Sequence, residues 1–337
     1  MHPKKGLKLT RFITTILSGS VLLGMVLWGM LAIAYSNLPS AALRTLLSGA
    51  FALGSLALLF VLRSRRAVFV FLTVFAGVLL WWLSIPPSQD RDWQPDVAVL
   101  SSAEFDGDRV TIHNIRNNDY RSETDYTVRY YDKTFDLSQL RTADLFFSFW
   151  GSPYIAHTIM SFGFGGDDYV AISIETRKSK DEEYSAIKGF FKQYELIYVV
   201  SDERDVVRLR TNYRGEDVYL YRLNARPEVV REVFRDYFTY INHLKEHPQW
   251  YNALTYNCTT AIRGHVVPYT VVRSWPSWKL LVNGYLDGRL YEVGALDRSL
   301  PFAELKARSR ITERAKAADS TPDFSKKIRT GLPGMGE

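Results

Sequence analysis

The 337-residue chain has a formal charge of +6, from 42 Lys and Arg against 36 Asp and Glu, but the excess is local. Residues 1–85 hold eight basic residues and no acid, so the remaining 252 carry a net −2. That removes the main reason to expect a nucleic-acid partner, and a single cysteine, Cys258, rules out an internal disulfide.

Three apolar runs come first: Phe12–Tyr35, Ala42–Leu62 and Ala67–Ile85. Each is about the 20 residues a bilayer core requires, and none contains an acid. The first is too long for a signal peptide, and two more follow it. Lys4, Lys5, Lys8 and Arg11 hold the N-terminus in the cytoplasm, as does the Arg63-Ser-Arg65-Arg66 loop its own end of the anchor. Three spans then put everything after Ile85 outside, with Trp81 and Trp82 at the level of an outer aromatic belt. The expectation is a multi-pass protein of a bacterial inner membrane: residues 1–85 the anchor, 86–92 a stiff polar linker, and a globular domain over 93–310.

In that domain Asp96–Leu100 and Arg109–Ile115 read as strands, broken by Asn117-Asn118-Asp119. Tyr126–Tyr131 alternates like a further strand, Leu137–Ala143 reads as a helical turn, and Leu145–Trp150 as a buried strand. Ile155–Phe164 and Tyr169–Thr176 flank Gly165-Gly166-Asp167-Asp168 and predict a hairpin. Asp181–Lys192 has an acidic first turn and helical spacing of Ile187, Phe190 and Phe191. Glu195–Val200, Val206–Arg210 and Val218–Leu223 read as strands. Pro227 opens an amphipathic helix to about Leu244, with Val230, Val233, Phe234, Tyr237, Phe238 and Ile241 on one face. A short helix over Cys258–His265 follows, and the polar, small-residue composition of 311–337 predicts disorder. Interleaved strands and helices at hairpin spacing give an α+β class with an antiparallel sheet packed on helices. Trp275 and Trp278 read as cover for the core.

Cys258 stands at the start of its helix, in Tyr256-Asn257-Cys258-Thr259-Thr260. There the partial positive charge of unpaired amides favours a thiolate, with Asn257 at the cap, and the same amides can serve as an oxyanion hole. Polar neighbours argue against a buried filler cysteine. Of six histidines, His2 is cytoplasmic, and His243 and His247 sit at a helix end. His113 is an ordinary strand residue, and His265 reads as lying on a helix surface. His157 opens a strand, the position from which an imidazole faces a helix N-terminus in papain-like thiol enzymes, and is the expected base. Folding the hairpin brings it opposite residues near 175 and 176, so Glu175 is the candidate to hold the ring. Glu175 could equally form a structural ion pair with Arg116 or near Arg177. One cysteine and scattered histidines lack zinc spacing, and no phosphate loop is present; no cofactor is expected.

The stretches Ala156-His157-Thr158 with Ser161-Phe162-Gly163-Phe164, Ser173-Ile174-Glu175-Thr176-Arg177, and Asn257-Cys258-Thr259-Thr260 resemble the Lnb N-terminal periplasmic domain family, over about residues 93 to 265. The resemblance implies thioester chemistry: a cysteine, here Cys258, takes an acyl chain from a membrane phospholipid and passes it to a lipoprotein amine, with His157 as base. It also implies a circularly permuted papain-like fold, in which His precedes Cys. A thiol amidase or peptidase acting on cell-envelope peptides and a non-enzymatic membrane interaction module are the competing readings.

Overall fold

The computed structural model describes residues 3–62, 64–270, 282–319 and 321–335. Trp275 and Trp278 lie outside them. The chain forms two compact units: Met1–Pro87 with Ser185–Gln193, and Ser88–Tyr184 with Tyr194–Glu337.

In the first unit, α1 (Pro3–Ala34), α2 (Ala41–Leu56) with a π-helical continuation Ala57–Leu62, and α3 (Arg65–Ser84) correspond to the three apolar runs. Phe12–Ala34, Ala41–Leu62 and Arg65–Ser84 are long and apolar enough to cross a membrane. Ser40 and Ser64 cap α2 and α3, accepting from the amides of Leu43 and Ala67. Val26, Ile33, Phe51 and Phe71 pack together where the helices meet, and Gly29 lets the Phe51 ring lie against α1.

The second unit is built on a mostly antiparallel sheet. Its strands are β1 (Ser102–Asp106), β2 (Arg109–Arg116), β3 (Asp119–Tyr120), β4 (Tyr126–Thr127), β5 (Tyr130–Asp136), β6 (Thr142–Phe149), β7 (Ala156–Gly163), β8 (Tyr169–Arg177), β9 (Glu195–Ser201) and β10 (Asp217–Arg222). The order across the main sheet is β1-β2-β9-β8-β7-β6-β10, with β5 also on β2 and β3–β4 a separate ribbon. The β7–β8 hairpin folds about Gly165 and Gly166, both at positive φ, with Ile159 opposite Ser173. Extending that register two residues sets His157 opposite Glu175.

Helices cover both faces: α4 (Glu203–Arg208), α5 (Pro227–Glu246), α6 (Cys258–Val266), α7 (Leu286–Glu292), α8 (Phe302–Arg308), α9 (Thr312–Ala317) and α10 (Phe324–Arg329). On one face Val230, Val233, Phe234, Tyr237, Phe238, Ile241 and Leu244 of α5, with Ala261 and Ile262 of α6, meet Met160, Phe162, Ile172 and Ile174. On the other, Val206 and Val207 of α4 join Ile311, Ala315, Phe324 and Ile328 against Phe146, Ile159 and Ala171.

Four expectations are corrected. Asp96–Leu100 is not a strand: Pro95 opens a 3-10 turn, Pro95–Val97, that buries Val97. Val206–Arg210 is helical because Asp202 caps α4 through the Arg204 amide, and Asp205 is drawn inward by a bidentate bond from Arg116. Asp181–Lys192 holds only the 3-10 turn Lys188–Phe190, with Ile187 and Phe190 exposed. The disordered tail is instead folded. Ile311, Phe324 and Ile328 are fully buried, and Arg329 bonds Glu203 and Asp144, both buried.

Candidate functional site

Cys258 is the first residue of α6, and a capping box fixes that start. The Asn257 carboxamide accepts from the amides of Thr259 (3.0 Å) and Thr260 (3.1 Å), and the Thr260 hydroxyl accepts from the Asn257 amide (2.9 Å). The Cys258 amide has no hydrogen-bond partner among the described residues. Cys258 is 8 % exposed, with Thr259 Oγ1 3.9 Å from Sγ. Asn283 Nδ2 reaches both Thr259 Oγ1 (2.8 Å) and the Ala156 carbonyl (2.6 Å), while its Oδ1 accepts from the Ala156 amide (2.9 Å). One carboxamide thus ties the start of β7 to the start of α6. Burial, then the thiol's proximity, raises the phenol of Tyr184 above its ordinary range; in Tyr251 the same two causes lead.

The loops at this end of the sheet carry exposed apolar side chains. Tyr154 and Ile155 precede β7, Leu254 precedes Cys258, and Tyr285 follows Asn283, its ring 6.0 Å from that of Tyr154.

His157 and Glu175 are brought together, through a residue the sequence reading missed. His157 Nε2 lies 2.7 Å from Ser173 Oγ, which donates to Glu175 Oε1 (2.6 Å). Because the serine proton is committed to the carboxylate, the ring must donate from Nε2, leaving Nδ1 as the open acceptor. Arg210 Nη2 donates to the same Glu175 oxygen (3.2 Å), and its Nη1 to Glu216 (3.2 Å), which also accepts from Ser148. Burial, then the positive charges of Arg210 and Arg214, pulls the imidazole down to about 3 despite Glu175. Burial pushes the Glu175 carboxyl up, but Arg210 first, then His157, Arg116 and the Ser173 hydroxyl, outweigh it and hold it well below the carboxylate range. At neutral pH the pair is a neutral imidazole and a carboxylate. Ser173 was legible in principle: it stands two residues before Glu175, on the same strand face.

The structure does not join His157 to Cys258. Alternate side chains of β7 face opposite sides of the sheet: Ala156, Met160 and Phe162 share the core that contains Cys258, whereas Ile159 packs against α4. His157 has the parity of Ile159, as Ser173 and Glu175 have that of Ala171. The expected meeting of imidazole and sulfur is therefore corrected: strand register turns the ring toward Arg210, away from α6.

His265, expected on a helix surface, is buried on the α6 side. Its Nδ1 lies 2.6 Å from Asp236 Oδ2 and its Nε2 2.8 Å from the Tyr198 hydroxyl. Burial lowers its imidazole, against the pull of Asp236. The rotation explains the miss: seven residues after Cys258 is nearly two full turns, which returns His265 to the inward stripe. The Thr158 hydroxyl and the Tyr237 phenol are also buried and without a partner among the described residues. Cavities of about 380 Å³ beside Arg129, Arg204 and Arg208 and about 310 Å³ beside Phe149, Tyr219 and Lys306 do not include Cys258 or His157. No cluster of metal-ligating side chains occurs among the described residues.

Fold and site together define a membrane-associated protein: three apolar helices and a mixed α+β domain with a capped cysteine at a helix start. Residues 126–284 match the family model described as the Lnb N-terminal periplasmic domain. The matched segment runs from β4 to Gly284 and contains His157, Glu175, Asn257, Cys258 and Asn283. No curated protein and no solved structure matches the chain.

Proposed function

We propose that the protein is a membrane-anchored acyltransferase of the cell envelope, in which Cys258 takes an acyl chain from a phospholipid as a thioester and yields it to the N-terminal amine of a lipoprotein or envelope peptide. The observation that carries this reading is the placement of Cys258 as the first residue of a capped helix, its own amide without a hydrogen-bond partner among the described residues. That amide, at the positive end of the helix, is a donor for the oxyanion of a tetrahedral intermediate. Thiolate attack on the ester carbonyl breaks the acyl C–O bond, and the lysophospholipid leaves as an alcohol after taking up a proton. The amine then attacks the thioester, an amide forms, and the thiolate is regenerated as the ammonium proton passes to a base. Exposed Tyr154, Ile155, Leu254 and Tyr285 supply apolar surface for the chain.

The anchor in this reading is multi-pass, with the N-terminus cytoplasmic. The ends of α1 and α3 support it: Gln193 donates to the Tyr35 carbonyl and Lys192 to that of Ile85, so one short segment serves both outer ends. The test is incubation of the full chain in nanodiscs with acyl-radiolabelled phospholipid. Label that hydroxylamine removes, and that Cys258→Ala lacks, is the expected result; label on neither protein would refute the reading.

A further inference from the structure

Between β8 and β9 the chain makes an excursion, and its nine residues Ser185–Gln193 pack with the apolar helices rather than with the sheet. The attachment is dense. Lys192 Nζ donates to the carbonyls of Trp82 (3.0 Å), Leu83 (2.9 Å) and Ile85 (3.1 Å), at the end of α3. The ammonium also lies 4.8 Å from the Trp82 ring centroid. Gln193 Nε2 donates to the Tyr35 carbonyl just past the end of α1 (2.7 Å). Phe191 is buried, its ring 6.3 Å from Trp28 and 5.9 Å from Tyr35. Lys192 adopts φ +52, a left-handed conformation uncommon outside glycine, in making these bonds.

What the segment does not bury is equally specific. Ile187 and Phe190 are 53 % and 41 % exposed, in the same unit as Leu80 and Leu83 of α3, which are 67 % and 55 % exposed. The nine residues include Lys188 and Lys192 and no acid, a composition suited to phosphate headgroups. Fixed to the ends of two spans, this segment holds its free apolar side chains at the depth where Trp82 marks the interfacial belt.

We infer that Ser185–Gln193 is a lipid-contact element, whose Ile187 and Phe190 side chains enter the interfacial layer of the leaflet in which α1 and α3 end. The inference stands apart from the thiol chemistry and is tested without it. In a Cys258→Ala background, Ile187→Cys and Phe190→Cys in the full chain carry a nitroxide label, with Asp167→Cys in the β7–β8 turn as the aqueous reference. In phospholipid nanodiscs, power saturation is expected to show both loop labels several-fold more accessible to oxygen, relative to a water-soluble nickel chelate, than the reference. A nickel accessibility equal to that of the Asp167 label at either position overturns the inference.

Discussion

Ser173 sets the state of His157: its hydroxyl gives its proton to Glu175 and so receives the ring's Nε2 proton. The imidazole's value, about 3 in the fold, lies below the ordinary 6.5. The unfolded chain therefore takes up a proton below pH 6.5 that the folded chain refuses, and stability falls as pH drops from 6.5 toward 3. Glu175 acts in the same direction at lower pH, since its folded carboxyl is depressed. From pH 6.5 to 5 the histidine contributes up to about 2 kcal/mol of this loss. Thermal unfolding should show His157→Gln losing less stability than wild type over that interval; equal slopes would remove the buried neutral imidazole. A second expectation follows from strand parity. Because the ring faces away from α6, His157→Gln should retain the thioester label on Cys258, and its loss would mean that sulfur and imidazole meet during turnover. Cys258, Asn257, His157 and Glu175 were all legible as residues. The side of the sheet each faces was not, because it depends on where α4 and α6 pack.

At the scale of elements, α6 depends on its cap. Asn257→Ala should cost about 1 kcal/mol, read as a lower unfolding midpoint, since the amides of Thr259 and Thr260 lose their side-chain acceptor. The C-terminal helices depend on charge. Arg329 joins Asp144 and Glu203, both fully buried; Arg329→Met leaves Asp144 to Arg222 and takes from Glu203 the guanidinium that pairs with it, and should cost about 3 kcal/mol. A variant as stable as wild type would show that the tail is dispensable after all. The β7–β8 hairpin, α5 and α6 were readable because periodicity, turn glycines and a helix-opening proline agree there. The segments 203–208 and 311–335 were not. Their apolar residues are few, and they fold because Arg116 and Arg329 reach carboxylates about 90 to 185 residues distant in sequence, a pairing no local pattern encodes.

For the whole molecule, the eight basic residues of 1–85 and the acid-free spans made the membrane association legible without any fold, because a bilayer reads length and charge directly. A reporter active only outside the cytoplasm should be active when fused after Pro87 and silent when fused at Ser64; the opposite pattern would invert the topology. The remaining expectation is chemical, and rests on a sulfur at a helix start beside a rim of exposed Tyr154, Ile155 and Leu254. Its most direct test is the intact mass of the full chain after incubation with phospholipid and no amine acceptor. The account predicts a gain of one acyl chain, mapped to the peptide holding Cys258 and discharged on adding a peptide with a free N-terminal amine. An unchanged mass, or an adduct that persists in Cys258→Ala, would contradict it.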